Sequence, residues 1–76
     1  MPRGLRNWTF RDVERFLKER KFRLNYTNGS HYYYIGHVGG ILRNVCVQFH
    51  ASKSIKTRTL KGIILQSGIS QEKWIE

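Results

Sequence analysis

The chain of 76 residues has little cysteine, few acidic side chains and no long apolar run. Its one cysteine, Cys46, excludes an internal disulfide framework and every zinc site that needs several thiolates. No apolar stretch reaches the roughly 18 residues of a membrane-spanning helix, and the first residues lack the apolar core of a signal peptide. We therefore expect a soluble, cytoplasmic protein that is not inserted in a membrane.

Enzyme motifs that recur in larger proteins are also missing. No glycine-rich loop has the spacing of a phosphate-binding or dinucleotide-binding motif. The five carboxylates supply no convincing acid pair for glycoside hydrolysis or divalent-metal chemistry. We expect no cofactor and no metal site.

Positive charge, in contrast, is abundant. Fourteen Lys and Arg side chains against five Asp and Glu give a formal net charge of +9. This charge density favours a polyanionic partner, which could be RNA, DNA, an acidic membrane surface or an acidic protein. A basic solvated surface without a specific partner is the alternative interpretation. The length predicts one small domain, and we expect residues 1–8 to form a basic arm before a domain over residues 9–76.

Apolar periodicity predicts two main helices. Thr9 is the expected N-cap of the first, with Asp12 near its start, and the helix should end near Arg20 or Lys21. The second helix should follow a loop over residues 51–54, with Ser54 or Thr57 as its cap. Its other features are an apolar stripe, a C′ glycine and a last short turn: Leu60, Ile63, Ile64, Gly68, Ser70, Trp74.

Three segments with strand periodicity lie between these helices. Gly39-Gly40 fits a two-residue hairpin turn, so paired residue numbers in the second and third strands should add to 79. Tyr34 then faces Val45 in the core, and His31 faces Gln48 on the opposite side. Both helices should cover the apolar side, which leaves the His31 side open.

The side of the sheet on which the first strand places its apolar residues decides the length of the loop that follows it. Phe22, Leu24 and Tyr26 alternate with Arg23 and Asn25, and Phe22 and Leu24 should lie on the core side of the sheet. A strict two-residue Asn28-Gly29 turn would place them on the wrong side, because a slip of one residue reverses every side chain. We therefore predict a three-residue loop over residues 27–29, with Gly29 left-handed.

Two histidines fall on the open side in this register. His31 and His50 would lie at diagonal positions, about 7–8 Å apart between backbones. Imidazole titrates near pH 6.5, so either ring could take and give a proton during RNA cleavage. Two other interpretations remain: ordinary strand histidines, or a two-histidine metal site that lacks an evident third ligand. Cys46, on the same side, is expected to be a small packing residue.

Basic residues cluster around the start of the second helix, namely Lys53, Lys56, Arg58 and Lys61. Helix N-terminal N–H groups attract phosphate, and these cations would strengthen that attraction. Tyr33 could stack on a nucleobase. A solvated cationic face and a tyrosine packed on the sheet are the simpler interpretations.

The motif Gly29-Ser30-His31, with Tyr34 three positions later, resembles the Gly-Ser-His signature of HicA-type toxins. Residues 47–50 and 60–70 are similar to the C-terminal half of that family, in which a strand ending in histidine leads to a helix that closes on Gly68-Ile69-Ser70. The resemblance covers about residues 9–76.

This resemblance implies an α+β fold like that of double-stranded-RNA-binding domains, with α-β-β-β-α order and both helices on one face of a three-stranded antiparallel sheet. It implies a ribosome-independent mRNA endonuclease, the toxin of a type II toxin–antitoxin system, with His31 as the catalytic residue. It also implies a HicB-type antitoxin as protein partner.

The sequence-based interpretation is therefore a metal-independent endoribonuclease that cleaves single-stranded mRNA. His31 is its main general acid/base, and His50, Ser30 and Gly29 are secondary site residues. A non-catalytic RNA-binding module on the same fold is the principal alternative. A protein whose basic face docks only an acidic protein is a third hypothesis.

Overall fold

The computed structural model describes residues 4–49 and 53–75. Its elements are α1 (Phe10–Glu19), β1 (Arg23–Asn28), β2 (His31–Val38), β3 (Ile41–Gln48), α2 (Thr57–Ser67) and a short α3 (Gln71–Trp74). The three strands form one antiparallel sheet in the order β1-β2-β3. This confirms the expected fold class. None of the helices within the described residues is long and apolar enough to cross a bilayer.

Helix α1 begins as predicted. The Thr9 hydroxyl accepts from the Asp12 backbone N–H, and the Asp12 carboxylate accepts from the Thr9 backbone N–H, which together make a capping box. The apolar stripe of α1 is buried against the sheet: Phe10, Val13, Phe16, Leu17. Helix α1 thus covers one face of the sheet with its apolar stripe.

Helix α2 packs on the same face but starts differently from the prediction. Its N-cap is Lys56, which makes no side-chain capping bond, so the prediction of Ser54 or Thr57 as cap is wrong. Ser54 instead forms an isolated bridge with Thr9, and the Ile55 N–H donates to the carbonyl of Trp8 at 2.6 Å. These contacts fix the loop before α2 against the start of α1.

The end of α2 follows the prediction. Gly68 is left-handed with φ 71°, and its N–H donates to the Leu65 carbonyl. The short α3 places Trp74 in the core, where its ring stacks on Phe16 at 3.9 Å and packs on Trp8. Trp8, just before α1, is itself buried, and its indole N–H donates to the Gly4 carbonyl.

The β2–β3 hairpin has the predicted register throughout. Tyr34 lies opposite Val45, and both are fully buried, whereas His31 lies opposite Gln48 on the open face. Ile41 and Phe49, which lie on the same side of β3 and its continuation as Val45, are 56% and 41% exposed. They lie at the two ends of the hairpin, where the core is no longer fully covered.

Strand β1 brings Leu24 to the core side through a bulge and not through the predicted three-residue loop. Asn28 pairs with His31, so the turn is the two-residue Gly29-Ser30, and the prediction of a three-residue loop is wrong. The register shifts between Leu24 and Tyr26, which leaves Asn25 as the extra residue of a bulge. The left-handed conformation of Gly29, with φ 61°, is confirmed.

The bulge changes which side chains of β1 reach the core. Phe22, just before the strand, is buried against Gly36, and Leu24 lies opposite Tyr34 as expected. Leu24 is nevertheless 43% exposed, because β1 is an edge strand. Tyr26 pairs with Tyr33, so its side chain belongs to the open face and not to the side of Leu24.

Candidate active site

His31 is the first residue of β2, directly after the Gly29-Ser30 turn, and its side chain is exposed on the open face. The Phe49 N–H donates to the Ser30 carbonyl at 2.7 Å. The next pair along, His31 and Gln48, is then a non-hydrogen-bonded pair, in which cross-strand side chains come closest. Pairing with Asn28 of β1 on one side and with Gln48 of β3 on the other therefore fixes the backbone of His31.

The His31 ring contacts the side chain of Cys46, its diagonal neighbour on β3. The distance from His31 Nδ1 to Cys46 Sγ is 3.7 Å. Cys46 pairs directly with Tyr33, and a side-chain hydrogen bond with Cys46 raises the pKa of the Tyr33 phenol above its usual value. The Cys46 backbone N–H donates to Gln66 Oε1 at 2.9 Å, which ties this point of β3 to α2.

An aromatic pair lies beside this cluster. The rings of Tyr26 and Tyr33 are stacked, with centroids 4.4 Å apart and planes inclined by 12°. Tyr26 is 53% exposed, so the pair presents an aromatic surface next to His31. Sequence reasoning missed Tyr26 because the bulge at Asn25 reverses its side. The signal available in the sequence was the alternation conflict between β1 and β2.

Two of the predicted cationic residues share a groove that is also lined by the cross-strand partner of His31. Lys53 and Lys56 line a concavity of about 400 Å³ together with Gln48, the cross-strand partner of His31. Thr59 and Ile63, one helical turn apart on α2, form another wall of this groove. The groove therefore connects the open face of the sheet with the N-terminal end of α2.

The other predicted cations lie elsewhere. Lys61 lines a separate hollow of about 500 Å³ with Leu65 and Ile69, and Arg58 lines neither cavity. Positions 58, 61 and 65 are spaced to share one face of α2, away from that of Thr59 and Ile63. His50 lies outside the described residues.

An imidazole can serve as general acid or general base, and the groove cations can bind phosphate oxygens. The tyrosine pair can stack on an unpaired base. Among residues 4–49 and 53–75, no three His, Cys, Asp or Glu side chains are grouped so that they could hold a metal ion.

The element order, the antiparallel sheet and the two helices on one face define an α+β domain of the double-stranded-RNA-binding-like class. Comparison with protein families then identifies the chain further. The family model for the HicA toxins of bacterial toxin–antitoxin systems matches residues 10–69, which covers most of the chain from α1 through α2. The chain belongs to the HicA toxin family, and the resemblance carried by the Gly29-Ser30-His31 motif is confirmed. No match was found among curated proteins or among solved structures.

Proposed function

We propose that this HicA-family toxin is a metal-independent endoribonuclease that cleaves single-stranded mRNA, with His31 as its general acid/base. The observation that carries the proposal is the exposed His31 on the open face, whose cross-strand partner Gln48 lines a groove together with Lys53 and Lys56. Membership of a toxin–antitoxin family supports the biological role. By the same argument we propose a HicB-type antitoxin as protein partner and the cytoplasm as the location.

The proposed reaction needs only proton transfers and charge stabilisation. A base removes the proton of a ribose 2′-hydroxyl, whose oxygen attacks the adjacent phosphorus. The bond from phosphorus to the 5′-oxygen breaks, and an acid protonates that oxygen. The products are a 2′,3′-cyclic phosphate and a 5′-hydroxyl. One well-placed imidazole contributes about 10²–10⁴-fold to such a reaction.

The surrounding residues supply the remaining requirements. Lys53 and Lys56 would stabilise the charge that develops on the phosphorane, because such stabilisation is strongest where cations are already in place. Tyr26 and Tyr33 would stack on an unpaired base next to the scissile bond. Arg58 and Lys61, on the other face of α2, would attract the RNA strand through longer-range charge, with fewer direct phosphate contacts than the groove pair. His50, Ser30 and Gly29 are proposed as secondary contributors to the same site.

Replacement of His31 by Ala tests the proposal. We expect cleavage of a single-stranded RNA to fall by about 10²–10⁴-fold, while circular dichroism and melting stay close to wild type, because the side chain is exposed. His37→Ala is the matched control, since His37 is exposed on the same strand and the same face as His31. We expect it to cleave normally.

Chelation tests metal independence. Full activity is expected in EDTA, and loss of activity that returns with a divalent cation would contradict this part of the proposal. Wild-type cleavage by His31→Ala, with contaminating nuclease excluded, would contradict the catalytic role.

A non-catalytic RNA-binding module is the second candidate, because the lysine-lined groove and the stacked tyrosines would serve binding alone. It predicts salt-dependent RNA binding, no cleavage products, and an effect of His31→Ala limited to lost contacts. Product analysis by gel electrophoresis separates the two candidates.

A further inference from the structure

We propose that Cys46 is a positioning residue, whose sulfur holds the His31 ring with Nδ1 turned towards the sheet and Nε2 towards substrate. This inference rests on the proposed function, since it concerns how the proposed acid/base is oriented. The contact that carries it is the 3.7 Å approach of His31 Nδ1 to Cys46 Sγ across the strand pair.

The geometry selects one ring nitrogen for chemistry. The two nitrogens lie on opposite edges of an imidazole, so a contact at Nδ1 directs Nε2 away from Cys46. The contact itself fits either direction, and as part of the same proposal Nδ1–H is the donor and the Cys46 sulfur the weak acceptor. In the neutral ring this favours the tautomer with the proton on Nδ1, which leaves the Nε2 lone pair free to act as the base.

The position of the Cys46 sulfur is restrained by the contacts of its own residue. The Cys46 backbone N–H donates a hydrogen bond to Gln66 Oε1 at 2.9 Å, which links β3 to α2. The Cys46 side chain lies beside Tyr33, its cross-strand partner. Cys46 is half-buried, whereas His31 is exposed and starts a strand next to a turn. An exposed ring without such a contact would exchange between rotamers, so that only part of the population could react.

The contact is a single weak hydrogen bond, so the expected effect is modest and falls on the chemical step. Cys46→Ala should lower kcat roughly three- to tenfold with little change in KM, as the loss of one hydrogen bond predicts. Cys46→Ser should recover part of this loss, because a hydroxyl can also accept from Nδ1–H. Asn44→Ala is the matched control, two residues away on the same strand and face, and should leave kcat unchanged.

The decisive measurement does not need activity. Nitrogen-15 NMR of the His31 ring in the free protein reports the tautomer, and we expect Cys46→Ala to shift the population from Nδ1–H towards Nε2–H. Cys46→Ser and Asn44→Ala should stay closer to wild type. A folded Cys46→Ala protein with wild-type tautomer and wild-type kcat would overturn the inference.

The two proposals fail in different ways. If the wild-type protein cleaves no RNA, the proposed function is wrong, and the tautomer shift alone decides whether Cys46 orients the ring. If the wild type cleaves RNA but the ring of Cys46→Ala is unaltered, the nuclease proposal stands and the role of Cys46 is wrong. Should Cys46→Ala fail to fold, Cys46→Val, which fills the space but offers no hydrogen-bond acceptor, decides the question in the same NMR measurement: a wild-type tautomer in that variant overturns the inference.

Discussion

Replacing Tyr34 with Phe removes one hydrogen bond between the sheet and α1 without changing the shape of the core. Tyr34 is fully buried, and its hydroxyl donates to Glu14 Oε2 at 2.6 Å. Hydrogen bonds to charged groups contribute about 1.5–3 kcal/mol. The Glu14 side chain is 29% exposed and lies 3.8 Å from Lys18 Nζ, so its carboxylate can regain water in the variant. We therefore expect the lower end of that range, about 1.5 kcal/mol at neutral pH.

The same variant should respond differently to alkaline pH. Burial, and then the hydrogen bond to Glu14, raise the pKa of the Tyr34 phenol well above its usual value. In the unfolded chain this phenol ionises near pH 10, so above that pH the unfolded state has lost a proton that the folded state retains. The free energy of unfolding then decreases with pH, by about 1.4 kcal/mol at pH 11 for this one group.

Denaturant titration at pH 7 and at pH 11 measures both effects. At pH 7 the variant should be less stable by about 1.5 kcal/mol, which corresponds to a melting temperature roughly 6–12 °C lower. At pH 11 wild type and Tyr34→Phe should have nearly equal stability, because only wild type loses the Tyr34 contribution. The other tyrosines titrate in both proteins and cancel in the difference. A difference that stays constant between the two pH values would refute the reasoning.

Two further predictions concern packing and phosphate binding. Gly36→Ala should destabilise the protein by about 1–3 kcal/mol in denaturant titration, through overpacking. The reason is that a Cβ on Gly36 would lie 2.7 Å from Cγ of the buried Phe22 ring. The double variant Lys53→Gln/Lys56→Gln should reduce the slope of log affinity against log salt for single-stranded RNA by about 1.4, or 0.7 for each lost phosphate contact.

The control for the double lysine variant is the outer pair of cations on α2, Arg58 and Lys61. Arg58→Gln/Lys61→Gln removes the same charge from the face that does not line the groove, and should change the slope less. Binding is measured in the His31→Ala background, so that the RNA stays intact. If the outer pair changes the slope as much as the groove pair, the groove is not the main phosphate site.

The register of the β2–β3 hairpin could be predicted because the sequence contains its two determinants. Gly39 and Gly40 both adopt positive φ, as a two-residue turn demands, and the strands on either side alternate without interruption. In the β1–β2 pairing the second determinant, uninterrupted alternation in both strands, was missing. Alternation required one extra residue, but a loop residue at Thr27 and a bulge at Asn25 restore it equally well, and no glycine marks the bulge.

The candidate site was predictable where a motif or the hairpin register defines it. His31 follows from the Gly-Ser-His signature, and its diagonal relation to Cys46 follows from the same hairpin register. The division of the cations was not predictable, because Lys53 and Lys56 precede α2 and their place depends on the loop before the helix. That loop is fixed by tertiary contacts of Ser54 and Ile55 with the chain just before α1.

The bulge at Asn25 lets one short strand contribute side chains both to the core and to the open face of the sheet. Before the bulge, Leu24 faces the core side and the chain enters from Phe22, which fills the space above Gly36. After it, Tyr26 turns to the open face and stacks on Tyr33, next to the proposed catalytic histidine. A slip of one residue in β1 would expose the phenylalanine and bury the tyrosine at once, because neighbouring residues of a strand point to opposite faces. The packing of the core and the aromatic surface of the candidate site therefore depend on the same extra residue.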